Sequence, residues 1–171
     1  AFSVIREIGP VITALICAGK IGSSIGAELG SMRVTEQIDA MEVSGTNPFK
    51  YLVVTRVMAC TLMLPVLVTI ADLISLYASY IGVNFKDVVS INLFYHNVFD
   101  SLMFGDILPA MIKTYFFGFA IGIIGCYKGY YSNKGTEGVG LAANSAVVVS
   151  SLVIFILDLV AVQIADIMGL T

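Results

Sequence analysis

The sequence predicts an all-α integral membrane protein, a polytopic helical bundle with a short charged helix between its first two spans. Two features of its composition and patterning support this fold class. Hydrophobic residues make up 58% of the 171 residues and charged residues only 12%, about half the charged fraction of a soluble domain. Four apolar segments are also long enough to cross a bilayer, which takes about 20 residues. The whole chain, residues 1–171, is therefore predicted to be one transmembrane domain.

The predicted spans follow one another with short connections. They cover residues 8–30, 51–83, 107–131 and 139–168. Pro10 suits the opening turn of the first helix, and Pro65 can kink the long second helix.

Lysine and arginine are concentrated around the first and third connections. Arg33, Lys50 and Arg56 lie around the first connection, and two lysines lie around the third. The second connection, residues 84–106, has one lysine against three aspartates. The positive-inside rule therefore places the first and third connections in the cytoplasm and the second outside. Both ends of the chain are then external, which predicts a further span upstream.

The first connection has the pattern of an amphipathic helix over residues 31–43. Val34, Ile38 and Met41 recur at the spacing of one helix face, and Ser31 is a suitable N-cap. Three carboxylates outnumber the single arginine of this segment. A negative surface in the cytoplasm favours docking to a protein over docking to anionic lipid. The alternative is a helix that lies in the membrane interface.

Three charged residues lie inside the predicted spans, namely Lys20, Asp72 and Asp158. Charges at membrane depth are costly and usually face the protein interior or water. These residues either line a route for a substrate or form a structural ion pair, such as Lys20 with one of the aspartates. The first alternative also allows a secondary transporter driven by ions or protons.

Glycines recur at every fourth position in two spans, at Gly22, Gly26 and Gly30 and at Gly118 and Gly122. Small residues at this spacing let helices approach closely in a membrane. One interpretation is packing within a single chain, and the other is a homodimer seam beside Gly122.

Motifs for catalysis or for binding nucleotides and metals are incomplete. Residues 14–22 lack the spacing of a phosphate-binding loop, so ATP chemistry must come from a partner. Ser24 lies in a GSSIG sequence typical of a serine nucleophile, but the only histidine, His96, lies in the opposite connection. An intramembrane hydrolase is therefore a minor alternative, and His96 alone does not make a metal site. The net charge of −3 excludes the basic surface of a nucleic-acid-binding protein.

The stretch Arg6–Val43, REIGPVITALICAGKIGSSIGAELGSMRVTEQIDAMEV, closely resembles the signature of MlaE/YrbE-type permeases. NPFKYLVVTRVMA, LPVLVTIADL and EGVGLAANSAVVVSS continue the likeness, which covers nearly the whole chain. These permeases are membrane subunits of MCE-associated ABC transporters that move phospholipids. The resemblance implies five transmembrane helices after an N-terminal interfacial helix. We therefore expect the interfacial helix and the first span of the family to be missing from this sequence.

The resemblance also implies partners and a location. A permease of this family forms a homodimer, binds a cytoplasmic ABC ATPase that can carry a small regulatory subunit, and faces a periplasmic ring of MCE proteins. ATP and magnesium bind to the ATPase, so no cofactor and no catalytic residue are expected in this chain. The expected function is ATP-driven phospholipid transport that maintains envelope lipid asymmetry. The expected location is the bacterial inner membrane, with the chloroplast inner envelope as the alternative.

Two groups of residues receive a role from the resemblance. It makes residues 31–43 the coupling helix that sits in a groove of the ATPase. The implied contact residues are Arg33, Thr35, Glu36, Gln37, Asp39 and Glu42. It also places Arg6, Glu7 and Ile8 at the border of the lipid cavity, where Arg6 can bind a phosphate headgroup through charge-assisted hydrogen bonds. The alternative role for Arg6 is to anchor the helix end.

Overall fold

The computed structural model describes residues 7–85, 90–101, 104–133 and 135–167. Regular structure within these ranges is entirely helical. Four helical segments are long and apolar enough to cross a membrane. The predicted fold class, an all-α polytopic membrane protein, is therefore confirmed.

The described ranges contain seven α-helices and two complete π-helical turns, and residues 7–8 are also π-helical. In chain order these elements are α1 (Gly9–Cys17), a π-helical turn (Ala18–Gly22), α2 (Ser23–Val34), α3 (Gln37–Val43), a second π-helical turn (Phe49–Val54), α4 (Thr55–Asn84), α5 (Ile91–Ser101), α6 (Phe104–Tyr130) and α7 (Thr136–Ile167). The segments long enough to cross a membrane are Gly9–Val34, Phe49–Asn84, Leu108–Tyr130 and Thr136–Ile167. Helix α5 lies within residues 84–106, for which the sequence pattern indicated only a connection.

The predicted helix over residues 31–43 is wrong in its first turn. Ser31 is not an N-cap, because α2 continues through it to Val34. Its carbonyl oxygen accepts hydrogen bonds from the backbone N–H of Thr35 at 3.0 Å and from the Thr35 hydroxyl at 2.9 Å. The chain then turns at Glu36, whose φ of 57° is left-handed, and α3 begins at Gln37. A spacing pattern cannot reveal such a break, because the apolar residues on both sides still fit one helical period.

Two clusters of buried side chains form the core. The first joins all four spans and includes Ala14, Leu64, Phe117 and Ile154. The second lies where α2 and α6 end and the second span begins, and α3 packs against it. We call this part of the bundle the α3 end.

Glycines allow the spans to approach closely within one chain. A Cβ atom at Gly129 would lie 2.7 Å from the Cβ atom of Leu29 and 2.8 Å from the carbonyl oxygen of Gly26. A Cβ atom at Gly122 would lie 2.9 Å from the Cα atom of Val57. The face of α6 that carries Gly122 is therefore covered by α4 of the same chain, and it is not available as a homodimer seam.

We expect the substitution Gly129→Ala to lower the unfolding temperature of the protein in detergent. The added methyl group would overlap Leu29 and the backbone of α2, and overpacking of this kind costs roughly 1–3 kcal/mol. Gly82→Ala is the matched control, since nothing lies within 4 Å of a Cβ atom at Gly82. Equal unfolding temperatures for the two variants in a thermal melt would contradict the prediction.

Candidate functional site

Helix α3 is held on the bundle by one fully buried side chain. Ile38 has no exposed surface and packs in the cluster that contains Leu29 of α2 and Leu52 of the second π-helical turn. Met41 packs against the same cluster. The predicted apolar stripe of this segment is therefore the surface that attaches α3 to the spans.

Polar contacts also connect α3 to its neighbours. Arg33 Nη1 donates a hydrogen bond to Asp39 Oδ1 at 2.6 Å, across the turn at Glu36. The Tyr130 hydroxyl donates to Glu42 Oε1 at a long 3.5 Å. Arg33, Asp39 and Glu42, which the resemblance assigns to ATPase contact, thus make contacts within the chain.

The turn before α3 exposes the remaining members of that group. Thr35, Glu36 and Gln37 are all exposed, and the Thr35 hydroxyl donates to the Ser31 carbonyl. Because the opposite face of α3 is buried through Ile38, the side chains of Glu36 and Gln37 lie on the outer surface of the α3 end. This surface is polar and is fixed by the bundle beneath it.

A further ion pair at the α3 end was not predicted from the sequence. Arg56 Nη2 lies 2.7 Å from Glu28 Oε1, and Arg56 Nη1 donates to the Leu52 carbonyl oxygen at 3.1 Å. Arg56 therefore links α2 to the start of the second span. In the sequence, this pair is indicated only by Glu28 near the end of the first span and Arg56 near the start of the second.

A buried ion pair connects α6 and α7 in the half of the bundle away from the α3 end. Lys113 Nζ lies 2.9 Å from Asp158 Oδ1, and the two side chains are only 8% and 21% exposed. Asp158 thus pairs with Lys113, and Lys20, which the sequence offered as one possible partner, lies on the exposed face of the first span. Sequence reasoning missed Lys113, although it is the only charged residue between Asp106 and Lys128.

An apolar groove of about 380 Å³ lies beside this ion pair, between α6 and α7. Its walls include Leu108, Ile112 and Phe116 of α6 and Val160 of α7, and Lys113 also lines it. The groove therefore combines a surface for an apolar chain with a paired charge at its wall. This arrangement suits an amphipathic ligand.

The other polar residues singled out in the sequence are not joined to the ion pair by a hydrogen bond within the described ranges. Asp72 Oδ1 is buried and has no hydrogen-bond partner there. Glu7 is half-buried and Ile8 is 46% exposed, and both begin the first span at the end opposite α3. Arg6, the third residue assigned to the lipid cavity, lies outside the described residues.

A metal site is not evident in the part of the chain that the structure describes. Groups of three or more histidine, cysteine, aspartate or glutamate side chains do not converge there. All three cysteines are free, and Cys17 and Cys126 are buried.

Comparison with known proteins decides the family. Residues 1–164 match the family model described as Permease MlaE. The chain belongs to the MlaE permease family. The resemblance read from the sequence is thus confirmed, and the four spans are those of an MlaE-type permease.

Similar proteins occur in bacteria and in a plant. The chain is 46% identical over 154 residues to a "Probable ABC transporter permease protein" of Rickettsia prowazekii, covering 90% of this chain and 60% of the relative. It is 39% identical over 156 residues to a protein of the same description from Synechocystis, covering 91% and 59%. It is 41% identical over 160 residues to "Protein TRIGALACTOSYLDIACYLGLYCEROL 1, chloroplastic" of Arabidopsis thaliana, covering 94% and 45%. The chain therefore spans about 60% or less of the length of these relatives.

Removing one partner of the buried ion pair should destabilise the protein more than removing both. Lys113→Met leaves the Asp158 carboxylate buried without its partner, and breaking a buried pair costs about 3–5 kcal/mol. The double variant Lys113→Met, Asp158→Leu replaces both charges with apolar groups and should unfold nearer to the wild-type temperature. A double variant that is as unstable as the single one in detergent would contradict this expectation.

Truncating the buried anchor of α3 should release the helix from the bundle. Ile38→Ala removes a fully buried side chain, a change that costs about 2–5 kcal/mol. We expect faster cleavage by an added protease between α2 and α4. Val43→Ala is the matched control, because Val43 of the same helix is 90% exposed. The same cleavage rate in both variants would show that Ile38 does not hold α3.

Proposed function

We propose that the protein containing this chain is the permease subunit of an ATP-driven phospholipid transporter. Membership of the MlaE permease family supports an ABC transporter permease, since relatives carry that description. The observation that carries the proposal is α3, a short helix anchored by Ile38 with its polar side turned outward at the end of the spans.

The ATPase would bind at the α3 end. Glu36 and Gln37 are exposed there, and the basic residues around this end favour the cytoplasmic side. A force on α3 would reach α2 through the Arg33–Asp39 ion pair and through Ile38. ATP and magnesium would bind to the ATPase, so this chain would supply the moving surface and no catalytic group.

The groove beside the buried ion pair suits a phospholipid. A lipid phosphate could compete with the Asp158 carboxylate for the ammonium group of Lys113, while acyl chains contact Ile112 and Phe116. Glu7 and Ile8 lie at the same end of the bundle, as does the start of the first span. The name of the Arabidopsis relative refers to a galactolipid, which is consistent with the lipid substrate proposed for this protein.

A second copy of the permease would complete the site. Lys20 is exposed in the middle of the first span, on the side that also exposes Ile16. A lysine in contact with lipid at this depth is costly, and a second permease would cover it. A periplasmic ring of MCE proteins would exchange lipid with the pair, and a small regulatory subunit would sit on the ATPase. The proposed setting is the bacterial inner membrane, with the chloroplast inner envelope as the alternative, and the proposed role is to maintain lipid asymmetry.

The ion-driven alternative has less support. It requires Lys20, Asp72 and Asp158 to act along one route, but Asp158 pairs with Lys113 and Lys20 lies on an exposed face. Asp72 keeps one buried carboxylate oxygen without a hydrogen-bond partner among the described residues. That single group is a weaker basis for a transport mechanism than α3.

Reversing the charge of Glu36 should remove the ATPase from the permease. Full-length protein with Glu36→Arg, purified from native membranes, should remain folded, as its unfolding temperature checks, but recover little of the ATPase that accompanies the wild type.

The matched control is Glu137→Arg, which reverses an exposed charge at the start of α7, at the same end of the bundle. This variant should copurify with the ATPase as the wild type does. Equal recovery with both variants would remove α3 from the coupling role. Absence of any ATPase from the wild type would restore the ion-driven alternative.

A further inference from the structure

A second groove of about 440 Å³ lies between the start of the second span and the end of α6. Phe49, Val54 and Met58 form one wall, and Phe119, Ile123 and Tyr127 form the other. It lies at the α3 end, whereas the groove beside Lys113 lies at the opposite end. The proposed transport function makes no use of it.

Helices α4 and α6 cross closely beside the groove. A Cβ atom at Gly122 would lie 2.9 Å from Val57, and most of the residues that line the groove lie between this crossing and the α3 end. Val57 and Cys126 are buried and contribute to the lining. Both also belong to the cluster that holds Ile38. The groove and the buried cluster that holds α3 therefore share these two residues.

The mouth of the groove lies on the outer surface of two membrane spans. Met58 is 57% exposed and Ile123 is 41% exposed, and side chains exposed at this depth face acyl chains or another protein segment rather than water. From Phe119 to Tyr130, α6 rises by about 16 Å at 1.5 Å per residue. One leaflet of the hydrocarbon core is about 15 Å deep. The length of the groove therefore matches an acyl chain of one leaflet.

Aromatic hydroxyl groups and a cation mark the end of the groove near α3. Tyr51, Tyr127 and Tyr131 are exposed there, and tyrosine is enriched at the level of lipid headgroups. Lys50, between Phe49 and Tyr51 in the π-helical turn, is also exposed. Its ammonium group complements the charge of a lipid phosphate at that level.

We propose that this groove binds one acyl chain of an anionic phospholipid from the leaflet on the α3 side, with the phosphate near Lys50. The bound chain contacts Tyr130, which lines the groove and donates a hydrogen bond to Glu42 of α3. The bound lipid therefore influences the position of α3 through Tyr130 and Glu42. This site is distinct from the proposed transport groove and does not depend on ATP.

The test uses full-length protein in nanodiscs of phosphatidylcholine that contain a little phosphatidylglycerol with a photoreactive group in its acyl chain. Illumination without ATP or ATPase should label peptides from residues 49–58 and 119–131. Ile123→Trp fills the groove and should lower this labelling severalfold. Ile156→Trp is the matched control, because Ile156 is 61% exposed on α7 and does not line the groove.

A second pair of variants tests the headgroup contact. Lys50→Gln should reduce the preference for phosphatidylglycerol over a photoreactive phosphatidylcholine about fivefold, the effect of one cation near the membrane surface. Neither lysine is among the residues that line the groove itself, but Lys50 is exposed beside Phe49 whereas Lys128 is partly buried, so Lys128→Gln is the control. Both pairs of variants change surface side chains, and their unfolding temperatures check that they remain folded.

Three outcomes would overturn the proposal. Labelling that spreads evenly over the exposed apolar faces and ignores Ile123→Trp would indicate annular lipid only. Crosslinks from the groove to another protein segment or to a second copy would show that protein covers it. Equal headgroup preference in wild type and Lys50→Gln would remove the phosphate contact. Because the assay contains no ATPase, failure of the transport proposal would leave these results unaffected.

Discussion

The close approach of α2 and α6 is the constraint on which the rest of the structure depends. Gly129 lets the two helices meet where a Cβ atom would lie only 2.8 Å from the carbonyl oxygen of Gly26 on α2. Their contact brings Leu29 and Cys126 into one cluster and so creates the apolar seat that Ile38 enters. In a membrane, where lipid competes for every apolar surface, such close packing replaces the hydrophobic effect as the source of helix association.

The energetics differ between the two ends of the bundle. At the α3 end the ion pairs are partly exposed, as the 31% and 42% exposure of Arg33 and Asp39 shows, and such pairs contribute about 0–1 kcal/mol each. Burial of Ile38 therefore contributes most of the free energy that holds α3. At the other end the Lys113–Asp158 pair is largely buried, and its value lies in specifying how α6 and α7 meet. The weak ion pairs at the α3 end permit α3 to move. The buried Lys113–Asp158 pair fixes the position of α6 along α7.

Composition was enough to predict the fold class and the four spans, because a bilayer imposes a minimum length on every apolar helix. The signature around α3 was enough to predict the family. The left-handed residue Glu36 was not predictable, since the apolar positions around it keep a helical period. The Lys113–Asp158 pair joins residues 45 positions apart in the chain, and sequence spacing carries no information about such a contact. Helix α5 was missed because its segment is too short and too polar to resemble a span.

The two π-helical turns, at Ala18–Gly22 and Phe49–Val54, have a consequence for how the chain can change in length. A π turn holds about one residue more than an α turn, because its hydrogen bonds reach one residue further. Deleting a single residue inside an ordinary span rotates everything beyond it out of register with its neighbours. Deleting Gly19 could instead convert the first π turn to an α turn and keep both flanking helices in place. The π turns are therefore positions where a span of this chain could lose one residue and keep its packing.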